Sequence, residues 1–145
     1  MLSKSKIFTQ LKRTFENGME VLVADQLFEF LRGYPKTSHI TLQLIRQIGS
    51  KNHLKFGDAE IVRALTFLSG DSVQVLSTGF EFVDDDESVH LLTNDQLSEI
   101  LSDSINPLSG EVDPYIKEKV TMFFFLTEEA QKFFEPSDSE KGLNE

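Results

Sequence analysis

The sequence predicts an α+β fold, mostly helical, with a small antiparallel β-sheet and a C-terminal strand–helix extension. Three observations carry that expectation. Apolar residues recur at helical spacing in four successive segments between Ile7 and Leu68. After Gly70 the apolar period shortens from 3.6 to 2, the repeat of a half-buried strand. Two later strand-like stretches then run into Leu-Thr and an acidic helix start.

The elements follow in order. Ile7, Phe8, Leu11 and Phe15 form the stripe of a first helix, with Gly18 as its stop. Ala24, Leu27, Phe28 and Leu31 mark a second, ending before Gly33–Tyr34–Pro35. A third starts at Thr37 or Ser38, turns Ile40, Leu44, Ile45 and Ile48 inward, and ends at Gly49. Residues 50–57 are a polar connection. The fourth helix is capped by Asp58, buries Ile61, Val62, Leu65 and Leu68, and stops at Gly70.

Val73 and Val75 then read as a strand, Ser77–Thr78–Gly79 as a turn, and Phe80 to Val83 as a second strand. The acids Asp84, Asp85, Asp86 and Glu87 separate it from a third, SVHLL, which completes a three-stranded meander. Thr93 and Gln96 match a capping box, Leu92 and Leu97 a hydrophobic staple, and Ile100 and Leu101 the buried face of the next helix. NPLSGEVDP, residues 106–114, is the most loop-like interior stretch. IKEKVTMFFFL reads as a strand, and Thr127 caps a last short helix. The resemblance of VHLLTNDQLSEIL to FFFLTEEAQKFF is shared capping chemistry, since two copies with only Leu-Thr in common make no repeat.

A chain of 145 residues is one domain by length. The expected organisation is a single domain over 1–134, made of an N-terminal helix at 3–17, a core at 20–103 and an extension at 114–134. A disordered acidic tail, 135–145, follows. Thirteen Phe against two Tyr and no Trp make Phe the main aromatic packing residue. The lack of Cys excludes disulfides, thiolate metal sites and Cys nucleophiles, and fits a reducing compartment. The start, MLSKSKIFTQLKRTF, has neither a long apolar run nor a cleavage site, and the longest apolar run is MFFFL. The expectation is a cytoplasmic protein without signal peptide or membrane association.

The net charge of −10 is unevenly spread. Residues 1–63 carry 10 Lys/Arg against 6 Asp/Glu, and residues 64–145 carry 4 against 18. Such a split can present two electrostatic faces. The run Asp84, Asp85, Asp86, Glu87 fails as a calcium loop. Counted from Asp84, Val89 stands at the required Gly and Asp95 at the required Glu. His39, His53 and His90 have no i, i+4 pairing for zinc. There is no G-x-S-x-G, P-loop, dinucleotide fingerprint or kinase signature. The expectation is a non-enzyme with no metal and no cofactor.

Three helices, a β-hairpin and a further helix over about residues 20–103 resemble the winged helix-turn-helix superfamily. FGDAEIVRALTFLSGDSVQVL is similar to the family's recognition helix and wing, and LLTNDQLSEIL to the exit from such a wing. The connection at 50–57 is longer than the family's usual tight turn. The resemblance implies a DNA-facing set of Lys51, His53, Lys55 and Arg63, with Glu60, Thr66 and Phe67 also toward solvent. If the acids form the wing tip, they repel phosphate; if Ser77–Gly79 does, they do not.

The leading expectation is therefore a non-catalytic winged-helix-like interaction module, an accessory or regulatory subunit. Its acidic face, Asp84 to Glu87, would meet a protein partner with a basic surface. The alternatives are a dimeric DNA-binding regulator, with DNA the disfavoured partner, and an acidic mimic of DNA. A homodimer is a further expectation.

Overall fold

A computed structural model describes residues 3–134; the expected acidic tail lies outside the described residues. Among the described residues, six helices and a small three-stranded antiparallel sheet give the α+β class. The residues divide into two compact units, one of residues up to Ser77 and from Phe124 onward, the other Thr78–Phe123. The second is inserted in the chain order of the first. NPLSGEVDP lies inside it.

The first unit is helical. α1 (Lys4–Phe15) is capped by Ser3 and buries Ile7 and Leu11. α2 (Met19–Gly33) buries Val23, Ala24, Leu27, Phe28 and Leu31, one stripe at helical spacing. α3 (Leu42–Lys51) and α4 (Asp58–Leu68) complete the bundle, and α2 packs against both. The helix α6 (Glu128–Phe134) closes it. Its cap, Thr127, accepts the Ala130 N–H, and its Phe134 ring meets Phe28 edge-on with centroids 5.1 Å apart.

Several boundaries differ from expectation. The third helix starts at Leu42 under a Thr41 cap, because Ile40 is taken up in an antiparallel bridge to Phe124. Ile40 is buried there all the same. Gly49 lies within α3 and does not end it; a Cβ there would stand 2.8 Å from the ring of the buried Phe56, so close packing explains this glycine. The α4 cap is Gly57, and Asp58 is the first helical residue, paired through Oδ1 with Arg46 Nε at 2.8 Å. Val62 is exposed, while Phe67 is half-buried against Phe15.

The largest correction concerns the sheet. Residues expected as the first strand form tight turns: Val73 and Gln74 both donate to the Gly70 C=O, and Gln74 is left-handed at φ 53°. Val73 and Val75 are buried, but as turn residues packed on the bundle. The chain reverses there, so Ser77–Thr78–Gly79 is not a turn and lies inside β1 (Leu76–Val83). β1 lies between β2 (Val89–Leu91) and β3 (Val120–Leu126), in the order β2-β1-β3.

The second unit holds the rest of this sheet and α5 (Asn94–Asp103). The capping box forms as expected: Gln96 N–H donates to Thr93 Oγ1 at 3.1 Å, and Thr93 N–H to Gln96 Oε1 at 3.0 Å. Phe82, Ile100 and Ile116 are its buried centre, with Leu92 and Val120 packed against them; Leu101 faces solvent. Residues expected to begin a long last strand instead form a 3-10 turn, Ile116–Lys119, which turns Ile116 inward.

Candidate functional site

The acidic run is the tip of the β1–β2 hairpin. Val83 pairs with Val89, Asp84 N–H donates to Ser88 C=O at 2.9 Å, and Glu87 is left-handed at φ 68°. Two acids serve the turn itself. Asp84 Oδ1 accepts the Asp85 N–H at 2.8 Å, and Asp86 Oδ1 accepts the Ser88 N–H at 2.9 Å. Hydrogen bonds from Ser88 hold the Asp86 carboxyl below the usual carboxylate range.

Asp85 points to Lys119, whose Nζ lies 3.0 Å from Asp85 Oδ1 and 3.3 Å from Asp113 Oδ2. The pair with Asp85 first, and that with Asp113 second, pushes the Lys119 ammonium above its ordinary range. The Tyr115 N–H, donated to Asp113 Oδ1 at 3.0 Å, is the main cause that holds Asp113 low. The acids diverge accordingly, and among the described residues no three His, Asp or Glu side chains gather as metal ligands would.

The division into units sharpens the charge split. Residues 78–123 hold eleven Asp/Glu against two lysines, Lys117 and Lys119, a net −9 of the chain's −10. Residues 1–77 hold ten Lys/Arg against seven Asp/Glu, a net +3.

The members of the basic set differ in how far they are engaged. Arg63 Nε is bonded at 2.9 Å to Oε2 of Glu20, a buried carboxylate on α2. That bond is the first cause holding the Glu20 carboxyl below its usual range. Arg63 is thus engaged within the bundle, as Arg46 is with Asp58. Lys51 is exposed at the end of α3, and His53 and Lys55 are exposed on the α3–α4 connection, alternating with half-buried Leu54 and buried Phe56. His53 takes a left-handed φ of 60°.

Two features escaped the sequence reading. Lys119 is one of only two cations in a segment of eleven acids, a signal that its neighbours would be acids but not which ones. The second is the exposure of Val89 and Leu91 on β2, whose place at a sheet edge the expected meander already implied. Comparison with models of known families, with curated proteins and with solved structures finds no match. Among the described residues, no helix is long and apolar enough to cross a membrane.

Proposed function

We propose that this protein is a non-catalytic, winged-helix-like interaction module, an accessory or regulatory subunit that uses its acidic segment 78–123 to bind a larger protein with a basic surface. The observation that carries this reading is the coincidence of charge with architecture: one compact unit holds −9 of the net −10. Charge of one sign gathered in one unit steers association with an oppositely charged surface.

The winged-helix likeness is supported by chain order. Helices α2, α3 and α4 pack together, and strands β1 and β3 follow as neighbours in one sheet. The DNA-binding alternative loses support on two counts. Arg63 is tied to Glu20, and four acids occupy a hairpin tip, where they oppose phosphate.

The test is affinity capture with the full chain, followed by titration of the isolated partner. A larger partner whose affinity falls with salt, and falls at least tenfold for the D84N/D85N/D86N/E87Q variant, is the expected result. Salt-sensitive binding of duplex DNA, with no protein partner, would overturn the reading in favour of the DNA-binding regulator.

A further inference from the structure

We propose that the free edge of β2 is a strand-addition site for an extended, basic segment of a partner protein. This rests on the interaction reading above and names how the acidic unit would hold its partner.

The hydrogen-bond phase of the hairpin fixes which groups are free. Asp84 N–H donates to Ser88 C=O, and Leu92 N–H donates to Phe80 C=O, both at 2.9 Å. Between them Phe82 pairs with His90. Residues 88, 90 and 92 therefore turn their backbone groups toward β1, and Val89 and Leu91 turn theirs outward. β2 is terminal in the order β2-β1-β3, so among the described residues no strand of this sheet lies on that side. An edge of this kind is a template for another strand.

The side chains agree. Val89 is 57% and Leu91 70% exposed. They lie on the sheet face opposite buried Phe82, level with Val83 and Glu81 across the hairpin. An incoming strand would bond to their backbone and cover their apolar surface, giving an exposed valine and leucine a common use. With only three residues in β2, the edge bonds are few, so charge must supply much of the attraction.

Charge selects the occupant. Exposed Asp86 and Glu87 precede β2, exposed Asp95 follows it, and the whole unit is at −9. A second copy paired antiparallel about His90 would set each copy's turn acids against the other's Asp95, which repels. A strand bearing Lys or Arg at alternate positions meets acids at both ends of β2. The occupant is therefore a basic segment of a different protein.

The test uses the full chain labelled with 15N and the capped peptide KVKVKVK. Expected are peptide binding and at least tenfold slower amide exchange at Val89 and Leu91. EVEVEVE should not bind, and KVKVKVK N-methylated along one edge should bind at least tenfold more weakly, since methylation removes the edge bonds and keeps the charge. Leu91→Pro should abolish the protection, because that N–H makes no bond within the sheet. If this variant unfolds, the methylated peptide still decides the matter on the unaltered protein. Equal binding of both basic peptides would overturn strand addition while leaving charge-driven partner binding intact. A captured partner that depends on Asp84–Glu87 but leaves the Val89 and Leu91 amides unprotected would do the same. Absence of both a partner and peptide binding would overturn both readings.

Discussion

The two units differ in what holds them together. Among the described residues the first buries twenty-two apolar side chains in one cluster drawn from its helices, its strand ends and the turns between them. The second buries four, Phe82, Ile100 and Ile116 in one cluster and Phe123 outside it. The first is near balance in charge, and the second carries eleven carboxylates against two lysines. Burial scales with apolar area removed from water, so the first unit has by far the larger hydrophobic stabilisation. The second relies on a small centre, a capped helix and a turn whose side chains bond their own backbone. If the proposed reading holds, the self-repulsion of so many like charges in such a unit would ease when a basic partner binds.

The largest expected effect tests the first unit. Leu65 is fully buried on α4. Leu65→Asp places an uncompensated charge there, at about 3–5 kcal/mol, besides the packing it removes. With the lost packing, about 2–5 kcal/mol more, the total is comparable to the roughly 5–15 kcal/mol stability of a small protein. Loss of cooperative melting is expected; a transition near the wild-type temperature would break the assignment of Leu65 to the core. Phe82→Ala is the counterpart in the second unit, at about 3–5 kcal/mol. Hydrogen exchange should then show residues 78–123 unprotected while α2 and α4 keep their protection. Loss of protection everywhere would show the units to be one cooperative system, and the contrast between them would fall.

Helix periodicity was legible because each stripe is local: residues 24, 27, 28 and 31 all point inward on one helix. The capping box at Thr93 and Gln96 was legible for the same reason. The sheet was not. Which strand lies beside β1 depends on β3, some forty residues onward, and alternation carries no address. Val73 and Val75 alternate as a strand does but are buried by a turn. The acids were visible as a run and as a turn between two strands, and the expected second turn at Ser77–Gly79 was equally plausible in sequence. The continuity of β1 through Ser77–Gly79 removes that second turn and leaves the acids as the hairpin tip. Arg63 looked available in sequence because Glu20, its partner, is forty-three residues away.

Gly79 sharpens the same lesson on a smaller scale. As a turn glycine it would be needed for backbone freedom; within β1 it is needed for space. A Cβ there would stand 2.5 Å from the ring of Phe123. Gly79→Ala should cost about 1–3 kcal/mol, the usual range for overpacking. Phe123→Leu in the same chain should recover part of that cost, read as a coupling in a double-mutant cycle by urea unfolding. Additive losses would mean that the ring is not what excludes a side chain at position 79.

The smallest expected effect compares the ion pairs of the two units. Glu20 is buried and bonded to Arg63, which is half exposed, whereas in the second unit Asp85 is 85% exposed beside Lys119. The Glu20 carboxyl is held below its ordinary value of 4.5, first by the Arg63 bond. A lowered folded value means stability that is fully present above the ordinary value and is lost as pH falls through the folded one. Glu20→Gln should therefore lower stability at pH 7 by under about 1 kcal/mol, since solvent at Arg63 screens the pair. Its deficit should shrink below pH 4.5, where wild type begins to lose the same contribution. Asp85→Asn should leave urea stability unchanged and weaken partner binding instead. A pH-independent deficit for Glu20→Gln would assign the loss to packing of the side chain rather than to its charge. If Asp85→Asn destabilised the fold by more than Glu20→Gln, the acids of the second unit would be structural first, and their role as a binding face would weaken accordingly.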